Sequence, residues 1–181
     1  MNRSYTTYAA ALAALLLSTT LAAQKTTEMR KGSGGSPHAR TEWHVDGATI
    51  TIEYGRPLLK GRPESALMPA GQVWRTGADE QTTLKTDKPL RFGALVVPAG
   101  MYGLHTIPNA TEWTLIVSKR QSGWGIPYPK GEDLGRAPMK PGRAAAPVEM
   151  LTFNIDDTTP GATLRFEWGT TSVTAPFTVG P

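Results

Sequence analysis

The sequence contains no cysteine in its 181 residues. This absence excludes disulfide bonds, thiol catalysis, zinc sites with cysteine ligands and a lipid-modified cysteine at a processing site. A folded domain must therefore take its stability from an apolar core, and a chain of this length is large enough to bury one. The length suits one domain preceded by a leader.

Charged residues and long apolar runs are both scarce at the N-terminus. Arg3 is the only charge in the first 24 residues, and an apolar core from Ala9 to Leu17 is followed by small residues at Ala22 and Ala23. This pattern is typical of a secretory signal peptide, and its apolar run is shorter than the roughly 20 residues of a spanning helix. We therefore predict a signal peptide over residues 1–23, an exported protein in the periplasm or outside the cell, and no stable membrane span after cleavage.

The leader makes a testable prediction about the mature N-terminus. Small residues at Ala22 and Ala23 favour cleavage that leaves Ala23 or Gln24 first. N-terminal sequencing of protein recovered from outside the cytoplasm should therefore read one of these two residues. A chain recovered there that still begins at Met1 would contradict the prediction.

Clustered basic charge, nucleotide motifs and metal motifs are also missing. The net charge of +4 is spread along the chain, whereas nucleic-acid binding usually needs a basic face. No phosphate loop, dinucleotide glycine signature or G-x-S-x-G elbow occurs. The three histidines, His38, His44 and His105, form no H-x-H or H-E-x-x-H pair. We expect no nucleic-acid partner, no cofactor and no metal site.

Apolar residues recur with period two, which predicts strands with one buried face. The runs are ATITIEY, EWTLIVS and TLRFEW, and their predicted core residues are Ile50, Ile52, Tyr54, Trp113, Leu115, Val117, Leu164, Phe166 and Trp168. Asp46-Gly47 stands between the first of these runs and TEWHV and is a two-residue hairpin signal. Together these features predict an all-β fold, an antiparallel β-sandwich of jelly-roll or immunoglobulin-like type with about nine strands.

The composition of the chain predicts where the folded domain begins and where its long loops lie. Residues 24–37 are polar and glycine-rich, which predicts a flexible tether, and residues 38–181 form the predicted single β-sandwich domain. Two segments, 55–81 and 120–147, lack the strand pattern and are predicted to be long loops. Loops of this length are often functional or disordered, and embedded aromatic residues favour the ordered case.

Three arginines and a lysine gather in the first predicted loop, with a tyrosine and a tryptophan beside them. Guanidinium groups suit carboxylates and phosphates, and aromatic faces suit cations or sugar rings. This favours a site for a small polar, anionic or glycan-type ligand, or for an envelope component. The candidate ligand-binding residues are Tyr54, Arg56, Lys60, Arg62, Trp74, Arg75, Glu80 and Trp124.

A bracing role for the two central arginines is the alternative. Arg56 and Arg75 can instead pair with nearby carboxylates and hold the loop, because structural ion pairs imitate functional ones. The ligand hypothesis predicts that Arg56 and Arg75 lie close together and that at least one points into a pocket.

Catalysis has a weak signal, and whether the protein is an enzyme stays open. Asp79 and Glu80 are neighbours, so in extended backbone their side chains point to opposite faces. They would then not form the facing carboxylate pair of a glycosidase, in which the carboxyls are roughly 5–9.5 Å apart. The enzyme alternative is a hydrolase that uses Glu80 with a second carboxylate or with His105. A third alternative is an envelope structural protein without a ligand.

Several segments together resemble a known family. EYGRPLLKGR resembles a Y-S-R-P-x-x-K-G-R segment, and GQVWRTGADE with its following threonines resembles G-x-x-W-R-T-G-A-N-E-x-T-T. VPAGMYGLHTIP resembles P-A-G-x-Y-x-L-x-x-I-P, and EWTLIVSK and GWG follow in the same order. Over residues 36–155 the chain is similar to the bacterial family of exported proteins called domain of unknown function 2911. The resemblance supports the compartment and the fold and transfers no activity.

Two departures from the family pattern bear on the site. Asp79 stands where the family usually has Asn, which argues against an essential carboxylate there and for a turn-forming role, since both residues bond readily to backbone amides. Gly55 stands where Ser is common, which excludes a serine nucleophile at that position. In the turn itself we predict that Trp74 is a packing anchor, that Gly77 supplies the unusual backbone angle and that Asp79 caps the turn. Arg75 and Glu80 are then left for a partner.

Overall fold

The computed structural model describes residues 24–158 and 160–180, so the predicted signal peptide over residues 1–23 lies outside the described residues. Regular structure is almost entirely β, with one single-turn helix. In chain order the elements are β1 (Lys25–Lys31), β2 (Pro37–Val45), β3 (Ala48–Gly55), α1 (Glu64–Leu67), β4 (Thr83–Thr86), β5 (Leu90–Phe92), β6 (Leu95–Val97), β7 (Gly100–Ile107), β8 (Trp113–Ser118), β9 (Asp133–Asp157) and β10 (Ala162–Val179). Within the described ranges, no helix is long and apolar enough to cross a bilayer.

The strands form one antiparallel sheet in the order β1-β2-β3-β4-β7-β8-β9-β10-β5-β6. The predicted hairpin is confirmed, because Val45 and Ala48 are opposite each other and the two residues between them close the turn. Asp46 and Gly47 take φ angles of 48° and 73° there. Both angles are positive, which is the requirement that selects Asp-Gly at such turns.

The core lies between the early strands and the long β9–β10 hairpin. Tyr54 on β3 meets Phe153 on β9 edge to face, with ring centroids 4.9 Å apart, and the Phe153 amide donates to the Tyr54 hydroxyl at 3.1 Å. These strands are not neighbours in the sheet, so the sheet folds over itself into two layers. The all-β antiparallel sandwich is therefore confirmed. All nine predicted core residues are buried, with at most 6% exposure: Ile50, Ile52, Tyr54, Trp113, Leu115, Val117, Leu164, Phe166 and Trp168.

The predicted tether over residues 24–37 is wrong for its first half. Residues 25–31 form β1, which pairs with β2 from Lys25 opposite Glu42 to Lys31 opposite Pro37. All seven side chains of β1 are exposed. The strand is held by backbone pairing and a few polar side-chain contacts, such as that of Arg30 with Glu80. It buries no apolar face, so a periodic pattern of apolar residues could not predict it.

About half of the second predicted loop, residues 120–147, is a strand in the structure. Residues 133–147 belong to β9, and only residues 119–132 connect β8 to it without regular structure. Prolines and glycines hid this strand, because they are depleted in strand interiors. The β9–β10 register jumps from Arg143 to Val148 opposite Thr171 and Gly169, so Pro147 falls in a bulge where ladder bonds are interrupted.

Candidate functional site

The segment from Trp74 to Glu80 begins with an anchor in the core. The Trp74 ring stacks on Trp168 with centroids 5.8 Å apart and an interplanar angle of 8°. Its backbone forms a two-bond bridge with Thr106, with N···O distances of 2.8 and 2.9 Å. The structure therefore places Trp74 as the packing anchor that the sequence suggested, with one ring face stacked on Trp168.

The unusual backbone angles of this turn fall on Thr76 and Asp79 and not on Gly77. Their φ values are 54° and 62°. Gly77 is needed for a different reason, since a Cβ there would come within 2.6 Å of the Thr82 hydroxyl. Our prediction for Gly77 was therefore wrong in mechanism: the position requires glycine for close approach.

Asp79 bonds to a distant turn and does not cap its own. Its side chain is buried, and its Oδ1 accepts a hydrogen bond of 2.7 Å from the Gly34 amide in the turn between β1 and β2. Its Oδ2 lies 3.3 Å from Nε2 of His38. Asp79 thus ties the N-terminal hairpin to the Trp74–Glu80 segment.

Glu80 converges on the same histidine as its neighbour. Its Oε2 lies 3.3 Å from His38 Nε2, and its Oε1 accepts a hydrogen bond of 2.9 Å from Arg30. We expected the side chains of Asp79 and Glu80 to point to opposite faces, as they would in extended backbone. The backbone is not extended here, because Asp79 has a left-handed φ. Burial alone would raise the pKa of the Glu80 carboxyl, but hydrogen bonds from its own amide and Arg30, and the charges of Arg30 and His38, hold that pKa below its ordinary value.

A cavity of about 210 Å³ opens beside this cluster, and we call it the first cavity. It is walled by β1, the start of β2, the end of β3 and the turn after β8. Its lining residues are Met29, Arg30, His38, Glu53, Tyr54, Glu80, Gln81, Thr83, Met101, Gln121, Ser122 and Gly123.

Two buried acceptor atoms belong to residues that line the first cavity. Gln81 is buried and donates from Nε2 to the Arg120 carbonyl at 2.8 Å, while its Oε1 has no partner among the described residues. Glu80 Oε2 is also buried and, within the same part of the chain, has only the 3.3 Å contact with His38 Nε2, although the side chain as a whole is 39% exposed. A buried acceptor without a donor costs about 1–3 kcal/mol, so both atoms favour a donor brought by a ligand.

The two arginines that we expected to lie together have no common partner. Arg56 donates to the Leu151 carbonyl at 3.2 Å and to the Thr152 hydroxyl at 2.9 Å. Arg75 donates to the Asp79 carbonyl at 2.6 Å and lies over the Trp124 ring, 5.4 Å from its centroid. Neither arginine lines the first cavity. Both arginines brace the loop, but through carbonyl and hydroxyl oxygens and not through the carboxylates that the bracing alternative expected.

The other two cations of this loop, Lys60 and Arg62, make contacts within the protein and do not line the first cavity. Lys60 takes a left-handed φ of 52° and its amide donates to a Glu149 carboxylate oxygen at 2.8 Å. Arg62 donates to the Leu59 carbonyl at 2.9 Å and to the Leu58 carbonyl at 2.6 Å. Of the eight predicted ligand-binding residues, Tyr54 and Glu80 line the first cavity, and Trp124 follows directly on the lining residue Gly123 with 47% exposure.

His105 lies away from Glu80 and from the first cavity. It is fully buried, with Nε2 3.3 Å from the Gly125 carbonyl oxygen and its ring 5.1 Å from that of Tyr128. Burial lowers the pKa of its imidazole below the ordinary value. The structure therefore does not bring together the predicted Glu80–His105 pair.

His38 is the site residue that sequence reasoning missed. It stands one residue into β2, at a boundary that we assigned to the end of a tether. Its contacts with Asp79 and Glu80 join parts of the chain that no local motif connects. Among the described residues, no group of three or more histidine, aspartate or glutamate side chains is arranged to hold a metal ion.

Comparison with known proteins identifies the family. The model of a family described as Protein of unknown function (DUF2911) matches residues 36–177, so the chain belongs to this family. The match confirms the resemblance seen in the motifs and extends it beyond residue 155. Neither the curated proteins nor the solved structures contain a match to the chain.

Proposed function

We propose that this member of the DUF2911 family binds a small polar ligand in the first cavity, through hydroxyl or amino groups that donate hydrogen bonds. The observation that carries the proposal is the pair of buried acceptors, Gln81 Oε1 and Glu80 Oε2, on residues that line the cavity. Polar atoms buried without partners are rare in folded proteins, and an unplaced ligand is one of their ordinary explanations. The leader pattern over residues 1–23 supports the further proposal that binding takes place outside the cytoplasm.

The size and charge of the cavity narrow the range of ligands that it could bind. About 210 Å³ is below the roughly 300–1,000 Å³ of sites for drug-sized molecules, so a small molecule or the end of a larger one fits best. Arg30 faces Glu80 across an ion pair of 2.9 Å and Glu53 adds a second carboxylate, so the lining holds no surplus of positive charge. An anionic ligand, which the arginine cluster suggested, is therefore less favoured than a neutral or amino-bearing one.

Glu80→Gln is the variant that tests this site. The change keeps the side-chain shape and removes the charge that a ligand donor would meet. Hydrogen bonds to charged groups contribute about 1.5–3 kcal/mol, so we expect affinity to fall by roughly 10- to 100-fold. A thermal-shift screen of neutral sugars, polyols and small amines on the mature chain supplies the probe, and titration calorimetry measures the affinity.

The matched control for this variant is Glu112→Gln. Glu112 is exposed in the connection between β7 and β8 and does not line the first cavity. We expect Glu112→Gln to bind the probe and to melt like the wild type, because its side chain is exposed, and Glu80→Gln to melt at a slightly lower temperature, because it loses the charge that faces Arg30 and His38. Equal affinities of wild type and Glu80→Gln would remove Glu80 from the site. A screen without any ligand would favour a structural envelope protein.

A hydrolase is the second candidate, and its support comes from His38. Nε2 of His38 lies 3.3 Å from both Asp79 and Glu80 at a cavity wall, an arrangement that favours the tautomer with Nε2–H and leaves Nδ1 as the atom that would act as a general base. The hydrolase that the sequence suggested used Glu80 with a second carboxylate or with His105, and His105 does not line the first cavity. Incubation of each screened ligand with the wild type, followed by product detection, distinguishes turnover from binding.

A further inference from the structure

The first cavity continues into two others on the outer face of the sheet. The second cavity, of about 390 Å³, shares Glu53, Thr83 and Met101 with the first. The third cavity, of about 380 Å³, shares Arg40 and Glu42 with the second. We call the three together the groove. A ligand that enters the first cavity therefore has a continuous path across several strands.

Strand register explains why these side chains form one surface. Cross-strand neighbours point to the same face, and one row runs from Thr27 through Arg40 and Glu53 to Thr83. A second row places Thr51 between Glu42 and Lys85. The intervening residues of β3 point the other way into the core. Since β1, β2, β3, β4 and β7 are consecutive in the sheet and strands are about 4.8 Å apart, the groove is roughly 19 Å wide across the strands.

The groove carries balanced charge. Its four cations and four anions are Arg30, Arg40, Lys25, Lys85, Glu42, Glu53, Glu80 and Asp87. Some are already paired, as Arg40 is with Glu53 through a hydrogen bond of 2.6 Å. A strongly charged polymer would meet as much repulsion as attraction here, whereas a neutral chain would meet donors and acceptors of both kinds.

Among the described strands under the groove, only β1 has an unpaired edge, so the backbone under the rest of the groove is not free to bind a peptide strand. Extended peptides usually add to an unpaired sheet edge through main-chain hydrogen bonds. The strands β2, β3 and β4 are paired on both sides, so the floor of the groove offers side chains only. Carboxylates, guanidinium groups and threonine hydroxyls are the partners that sugar hydroxyls use.

We infer that the groove binds a neutral oligosaccharide, with one end of the chain in the first cavity and further sugar units across β3, β2 and β1. The inference rests on the proposed function, because it takes the first cavity as one subsite of a longer site. It adds the class of ligand and the direction in which the ligand extends. Affinity should therefore rise with chain length.

The test measures affinity for neutral oligosaccharides of one to six units from glucan, mannan, xylan and chitin. For at least one series, we expect the wild type to bind the longer members at least about tenfold more tightly than the monosaccharide. Thr51→Arg should remove this gain, because its long side chain fills the middle of the groove while Glu42 opposite supplies a counter-charge. Binding of the monosaccharide should stay unchanged.

Thr163→Arg is the matched control. Thr163 is likewise half-buried on a strand and has an acidic neighbour, Asp156, across the β9–β10 pair, and it does not line the groove. It should keep the length-dependent gain and show that an added arginine is tolerated. Three results would overturn the inference: affinity independent of length, an effect of Thr163→Arg equal to that of Thr51→Arg, or binding of charged or peptide ligands in place of sugars. If affinity does not depend on length but the monosaccharide binds and Glu80→Gln weakens that binding, the proposed function stands without the inference. If no sugar binds, the inference fails.

Discussion

Phe166→Ala is expected to lower the free energy of unfolding by about 3–5 kcal/mol. Phe166 is fully buried on β10. Its ring lies 5.6 Å from that of Trp113, 5.6 Å from that of Phe153 and 5.9 Å from that of Trp74. These neighbours come from β8, from β9 and from the Trp74–Glu80 segment, and bulky rings on three sides cannot collapse into the space that the missing ring leaves. The loss should therefore include a full cavity cost.

Denaturant unfolding of the chain measures this effect, with Val96→Ala as the control. Val96 lies on the edge strand β6 and is 37% exposed, so its truncation should cost less than about 1 kcal/mol. Both variants should show the wild-type denaturant slope, so that a shift in midpoint reports stability. A loss below about 1 kcal/mol for Phe166→Ala would mean that the face of β10 that we assign to the core is wrong.

The sequence predicted this core because burial and strand period are coupled. In β3, Ile50 and Ile52 are buried and Thr51 between them is half-buried. Successive side chains of a strand point to opposite faces, so the apolar residues of such a run all lie on one face. The Asp46-Gly47 turn was equally readable, since few residue pairs accept two positive φ angles. Local rules of this kind need no knowledge of the rest of the fold.

The site was harder to predict because its contacts are distant in sequence. His38, Asp79 and the Gly34 amide meet only after β1, β2 and the Trp74–Glu80 segment are in place. The arginines misled the prediction for a different reason. Guanidinium groups have five donors and suit carbonyl oxygens as well as anions, and Arg56, Arg62 and Arg75 all donate to backbone carbonyls. Residue type alone does not distinguish these uses.

Asp79→Ala is expected to destabilise the protein by about 2–4 kcal/mol. The change removes the acceptor of the Gly34 amide and the carboxylate that lies 3.3 Å from His38. A hydrogen bond to a charged group contributes about 1.5–3 kcal/mol. The φ of 62° adds to the loss, because the left-handed region costs alanine roughly 1–2 kcal/mol. The N-terminal hairpin should loosen as well, since Asp79 is one of the groups that tie it to the domain.

Asp79→Asn separates these contributions. Asparagine tolerates left-handed backbone and keeps a carbonyl oxygen for the Gly34 amide, and it is the residue usual at this place in the family that the motifs resemble. We therefore expect Asp79→Asn to lose less than about 1 kcal/mol, and hydrogen exchange of the Gly34 amide to stay slow in Asp79→Asn and to become fast in Asp79→Ala. If Asp79→Asn were as damaging as Asp79→Ala, the negative charge beside His38 would be the essential feature. The Asp79–His38 contact would then stabilise the hairpin mainly through charge.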